Sequence, residues 1–155
     1  MGIEKNKNYY ITIDTERTQG WEKNGKTYSP LIYAIGYAIH DKAGKVYETR
    51  NYIIRDTFYS KAMGLSFYSD KNLWYREQID KRKILAVSFA RAIYEINKAC
   101  EKYDKFTILA YNTNFDIEGI TKTAEYTKLK QYDGTLESIF YMIKKIEVKD
   151  ILGRS

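Results

Sequence analysis

The sequence predicts an α/β domain in which helices flank a mixed sheet. Three observations support this prediction. Runs rich in β-branched and aromatic residues open the chain, a helical apolar period follows in its middle, and a short apolar run comes after that helix. The chain has 155 residues, of which 44% are hydrophobic and 30% are charged. This size and balance fit a single globular domain spanning residues 1–155.

The first part of the chain predicts three antiparallel strands. Residues 8–13 form the first strand, and a polar loop from Thr15 to Pro30 follows it. Residues 31–40 and 46–55 predict two further strands, because the polar residues between them include Gly44, as expected of a hairpin turn. The three strands together form a meander.

The middle of the chain predicts helices and then a buried strand. Residues 56–80 indicate short helices and loops, and a longer helix is predicted from about Ile84 to Tyr103. Residues 106–111 form a compact apolar run without a helical period, which favours a fourth strand parallel to the first after the helical crossover. The apolar stripe of the long helix consists of Leu85, Phe89, Ile93, Ile96, Cys100 and Tyr103. The single cysteine in this stripe is expected to be a buried core thiol.

The last part of the chain is less regular. A helix is predicted to begin at or just after Asp116, and Asp133-Gly134 predicts a turn. Residues 135–146 are compatible with either a strand or a helix. The inner side of the predicted helix is expected to carry Ile117, Ile120, Thr121 and Ala124.

Charge and hydropathy narrow the class of partner. The net charge of +6 and the sequence pI near 9.2 favour a polyanionic partner such as nucleic acid. The polar start and the lack of a long apolar run predict no membrane association, and we expect a cytoplasmic protein. The basic run from Lys81 to Lys83 is either a nucleic-acid contact or, as is more usual, a solvated surface, and Trp74 is expected to pack rather than to stack on bases.

Carboxylates follow two of the predicted strands. Asp14 and Glu16 are two residues apart at the end of the first strand, so their side chains should project to the same face. Asp116 lies a few residues beyond the fourth strand, and parallel neighbours end at the same edge of a sheet. Because hard divalent cations prefer oxygen ligands, the sequence predicts a metal site here. The alternatives are a solvated strand end and, for Asp116, a helix cap.

Two motifs carry a resemblance to a known family. Residues 14–20 read D-T-E-R-T-Q-G, and residues 111–116 read Y-N-T-N-F-D. This pair resembles the first two motifs of the DEDD superfamily of 3′-to-5′ exonucleases, commonly D-T-E-T-T-G and H-N-x-x-F-D. The run from Ala34 to Ile39 is also similar to the family's second strand. The resemblance spans residues 9–150 and implies a ribonuclease H-like fold.

The resemblance also implies a chemistry. It implies hydrolysis at the 3′ end of single-stranded DNA or RNA with two Mg²⁺ or Mn²⁺ ions, held by Asp14, Glu16 and Asp116 as the catalytic acids. Further substrate contacts would come from Thr18, Asn112 and Phe115. A polymerase or another protein is a conceivable but unidentified partner. The alternative is an inactive module on the same fold that binds nucleic acid or inhibits a protein.

The family's third motif has no match in this sequence. Family members carry a final Asp after a His or Tyr that acts as general base, on a helix that follows the second motif. The segment from Glu147 to Leu152 stands where the approach to that helix is expected, but the context of Asp150 does not match, and His40 belongs to a hairpin. We expect a chain that lacks its C-terminal helix; a helix supplied by a partner and an inactive relative are the alternatives.

Overall fold

The computed structural model describes residues 7–60, 63, 72–103, 106–110, 113–129 and 147–150. These residues form an α/β fold with a six-stranded mixed sheet, in the order β6-β5-β4-β1-β7-β8, and a separate two-stranded hairpin. The strands are β1 (Tyr9–Arg17), β2 (Trp21–Lys23), β3 (Lys26–Tyr28), β4 (Ile32–His40), β5 (Val46–Ile54), β6 (Leu85–Val87), β7 (Phe106–Ala110) and β8 (Glu147–Asp150). The helices are α1 (Arg55–Phe58), α2 (Asn72–Asp80), α3 (Phe89–Cys100) and α4 (Thr113–Thr127).

The sheet combines an antiparallel meander with parallel strands. Strand β4 pairs antiparallel with both β1 and β5, while β7 pairs parallel with β1. The predicted meander and the predicted parallel fourth strand are therefore confirmed. Two short parallel pairings, β6 on β5 and β8 on β7, extend the sheet at its edges.

The predicted loop from Thr15 to Pro30 is wrong in two respects. Strand β1 continues through Arg17, because its backbone stays paired with β4 well beyond the apolar run. Strands β2 and β3 then form a small hairpin within the expected loop. Its turn is made by Asn24 and Gly25, which both have positive φ, as a two-residue hairpin turn demands.

The predicted helix from Ile84 to Tyr103 is shorter in the structure. Residues 85–87 form β6 instead, and α3 begins after Ser88. The Ser88 hydroxyl accepts a hydrogen bond from the Arg91 N–H, and the Asp56 carboxylate accepts one from the Phe89 N–H at 2.7 Å. These two acceptors satisfy N–H groups that the first turn of a helix leaves without partners, so they fix the start of α3.

Helix α4 begins earlier than predicted, at Thr113 rather than at Asp116. Its inner side also differs, because Thr121 is only partly buried, whereas Thr123 is fully buried. The Thr123 hydroxyl accepts a hydrogen bond from the Ile32 N–H and donates one to the Gly119 carbonyl, which explains why a polar residue occupies the interior. The predicted turn at residues 133–134 and residues 135–146 lie outside the described part of the chain.

The core lies on both faces of the sheet. Helices α3 and α4 pack with one face of β1, β4 and β5, around residues such as Ile11 and Ile96. A smaller cluster on Phe58 and Ile53 lies under α1 and α2. The expected core thiol is confirmed, since Cys100 is buried and desolvation raises its pKa to about 12. Among the described residues, no helix is both long enough and apolar enough to cross a membrane.

Candidate functional site

Strand β1 sorts its side chains onto two faces. Asp14 is exposed and Glu16 is partly exposed, whereas Thr15 between them is 5% exposed. Successive residues of a strand point to opposite faces, so the two acids share one face and Thr15 points to the other, towards α4. The structure thus brings Asp14 and Glu16 together, as the sequence predicts.

These two acids line a cavity of about 290 Å³ on their face of the sheet. Strand β4 places small residues beside the two acids, because Gly36 is paired with Asp14 and Ala34 with Glu16. Space above the two small residues is what opens the cavity beside the carboxylates. The lining consists of Asp14, Glu16, Ala34, Ile35, Gly36, Asn51, Tyr52, Ile53, Trp74, Tyr75 and Ile84.

Asn51 is a cavity residue that reading the sequence missed. It is paired with Gly36, which in turn is paired with Asp14, so the three residues form one row across the sheet. A Cβ at position 36 would overlap the side-chain oxygen of Asn51. Glycine therefore lets the Asn51 amide lie across β4 towards the acids. The pairing register alone reveals this neighbour, and the spacing along the chain does not.

Two aromatic residues of α2 form the opposite wall of the cavity. Tyr75 packs edge-on against Tyr33 and Phe58, with ring centroids 5.7 and 6.0 Å apart. Trp74 packs edge-on against Tyr75, and it is also 52% exposed where it lines the cavity. An exposed indole beside two carboxylates can stack on a flat, polar ligand.

Asp116 lies on the other face of β1. It is 7% exposed, and it accepts a hydrogen bond of 2.5 Å from the Thr15 hydroxyl. The expected capping role is wrong, because α4 starts at Thr113 and Asp116 belongs to its first turn. A carboxylate there is still favoured by the positive end of the helix dipole.

Arg17 and Phe115 lie next to Asp116. The Arg17 guanidinium stacks on the Phe115 ring at 3.5 Å from its centroid. Burial lowers the pKa of Arg17, and the negative charges of Glu118 and Asp116 partly offset that effect. A Cβ at position 119 would come within 2.7 Å of the Arg17 side chain, so Gly119 makes room for it. Phe115 is 38% exposed, so it does not belong to the buried core.

The remaining predicted substrate residues have different positions. Thr18 is 2% exposed, and its hydroxyl accepts a hydrogen bond from the Leu31 N–H at 3.0 Å. This contact joins the two ends of the segment that carries the β2–β3 hairpin. Asn112 lies outside the described residues.

The donor set fits one hard cation better than a full cluster. Asp14 and Glu16 offer carboxylate oxygens from residues about 7 Å apart along the strand, and Mg²⁺ is commonly held by one or two carboxylates together with waters. Within the described part of the chain, no three acidic, histidine or cysteine side chains are grouped so that they could hold a metal ion. Asp116 is instead oriented by Thr15.

Comparisons with known proteins add no relatives. No family model matches the chain, and no curated protein matches it.

Proposed function

We propose that this chain is a metal-dependent 3′-to-5′ exonuclease of the DEDD type on a ribonuclease H-like fold. The observation that carries the proposal is the cavity shared by Asp14 and Glu16 near the carboxyl end of β1. The parallel neighbour β7 leads into α4, whose first turn carries Asp116. Ligand sites of open α/β sheets collect at this end of their strands.

Each residue has a role in the proposal. Asp14 and Glu16 would hold a divalent ion against the phosphate to be cut. Asp116, on the other face of β1, would join them only by exchanging its hydrogen bond with Thr15 for the ion. Bound Mg²⁺ or Mn²⁺ supplies charge stabilisation to the attacking and leaving oxygens.

The walls of the cavity fit the terminal nucleotide of a single strand. Trp74 offers an exposed aromatic face for a base, and stacking on such a face accepts any base. Asn51 offers an amide that can donate to and accept from the sugar or the base edge. Both residues flank the carboxylates, so a stacked end would present its last phosphodiester to Asp14 and Glu16.

A second function is favoured by one observation. Asp116 already has a hydroxyl donor in Thr15 and a cation, Arg17, whose charge it influences. A carboxylate that already accepts a hydrogen bond from the protein and lies near a guanidinium has less need of a metal ion. This supports an inactive module of the same fold that binds nucleic acid or inhibits a protein.

An end-labelled degradation assay tests the proposal. The full chain is incubated with 5′-labelled single-stranded DNA and RNA in the presence of Mg²⁺ or Mn²⁺, and products are resolved by length. We expect shortening from the 3′ end, and a loss of at least about 100-fold in rate for Asp14→Asn, because the neutral amide binds a hard cation poorly. The matched control is Asp80→Asn at the exposed end of α2, which should degrade like the parent.

The assay also separates the alternatives. Equal rates for Asp14→Asn and the parent would refute the exonuclease proposal. Binding without any metal-dependent shortening would favour the inactive module. Cleavage of circular strands would point instead to an endonuclease.

A further inference from the structure

The end of α2 holds an arginine in a conformation that favours glycine. Arg82 has φ of 59°, in the left-handed region. The Arg82 N–H donates to the Ile79 carbonyl and the Lys83 N–H to the Gln78 carbonyl, each at 2.9 Å. This is the hydrogen-bond pattern of a Schellman motif, in which the left-handed position is usually glycine. A non-glycine residue there costs stability.

The same motif recurs at the end of α4. Lys128 has φ of 55°, its N–H donates to the Glu125 carbonyl, and the Leu129 N–H donates to the Ala124 carbonyl. Both helices therefore end on an exposed cation in the same strained conformation. The two residues have the same backbone conformation, so only their locations in the fold distinguish them.

Arg82 is close along the chain to the cavity, whereas Lys128 follows the far end of α4. Helix α2 carries Trp74, and Ile84, two residues after Arg82, also lines the cavity. Helix α4 begins near the carboxyl end of β7 and runs for 15 residues, about 22 Å, before it reaches Lys128. The helix thus separates Lys128 from the acids.

The segment between α2 and β6 is strongly basic. Lys81, Arg82 and Lys83 are all exposed. Lys81 forms an ion pair with Glu77 at 2.6 Å, so it contributes less to attracting an outside anion. Arg82 and Lys83 carry positive charge that faces solvent just past the C-terminal end of α2, about 12 Å along the helix direction from Trp74.

We propose that Arg82, with Lys83, binds backbone phosphates of a single-stranded nucleic acid whose 3′ end lies in the cavity. This inference rests on the proposed function for the identity of the bound strand. A guanidinium can donate two parallel hydrogen bonds to the oxygens of one phosphate. Phosphate binding would therefore explain why arginine occupies a position at which glycine would be more stable. The strand would leave the Trp74 wall along α2 towards its C-terminal end.

A pair of matched variants tests this proposal, namely Arg82→Gly and Lys128→Gly in the full chain. Each removes one positive charge and one strained conformation, so each should raise the Tm by about 2 to 4 °C. Binding of a fluorescent 12-nucleotide single strand is measured by anisotropy in EDTA, which prevents turnover. We expect Arg82→Gly to weaken binding about fivefold at 0.1 M salt and to reduce the salt slope by about 0.7.

Lys128→Gly should bind like the parent. The proposal is overturned if Arg82→Gly also binds like the parent, or if both variants lose affinity equally, which would indicate a general charge effect. It stands if only Arg82→Gly loses affinity while its Tm rises. Failure of the exonuclease proposal would appear separately, as degradation that is insensitive to Asp14→Asn.

Discussion

The two faces of β1 place similar acids in opposite surroundings. On one face, Asp14 and Glu16 are accessible from a cavity with small side chains beneath them. On the other face, the buried Asp116 accepts a hydrogen bond from the Thr15 hydroxyl. Its negative charge also acts to raise the pKa of Arg17. Strand alternation alone produces this division. Acids near one strand end therefore differ in what they can still bind.

The first face is built for ligands and the second for stability. Two neighbouring carboxylates repel each other, and a cation would relieve that repulsion. A buried carboxylate needs hydrogen bonds, and Asp116 has one of 2.5 Å from the same strand. Substitutions on the first face should therefore change ligand binding, whereas substitutions on the second face should change the stability of the fold.

The largest expected effect comes from the apolar part of the helix-covered face. Ile11 is fully buried, so Ile11→Ala should lower the free energy of unfolding by about 3 kcal/mol through lost burial and a cavity. Asp14→Ala, on the accessible face of the same strand, should change it by no more than about 0.5 kcal/mol. Urea denaturation measures both. Comparable losses for the two variants would contradict the division of β1 into two faces.

A smaller effect is expected at the contact between β1 and α4. Thr15→Val keeps the shape of the side chain but removes the hydroxyl that donates to Asp116. We expect a loss of about 1 to 3 kcal/mol in the free energy of unfolding, because a buried carboxylate loses a donor. Thr15→Ser is the matched control and should recover most of the loss. If Thr15→Val left the free energy of unfolding unchanged, the hydroxyl would not stabilise Asp116.

The sequence predicts the strands of the sheet and their directions better than it predicts where the helices begin. Alternating and continuous apolar runs identified β1, β4, β5 and β7 and their directions. The start of α3 differs from the prediction in part because a side chain distant in sequence helps to fix it. Asp56 of α1 accepts a hydrogen bond at the start of α3, and no local pattern around residue 84 reveals that acceptor.

Only part of the site is predictable from the sequence, because the rest depends on contacts between residues that are distant in sequence. Asp14 and Glu16 share a face because of a local rule, the alternation of a strand. Asn51 and Trp74 depend on the pairing register and on the packing of α2, which a single sequence does not reveal. The hydrogen bond between Thr15 and Asp116 joins residues 101 positions apart and could not be anticipated from either motif.

Calorimetric titration of the full chain with Mn²⁺ tests directly whether Asp14 and Glu16 bind a divalent cation. We expect a binding heat that disappears in Asp14→Asn and in Glu16→Gln and persists in Glu118→Gln, an exposed acid of α4. A parent protein with no binding heat, or a heat unchanged by removal of either carboxylate, would contradict the claim that these two acids hold a divalent cation.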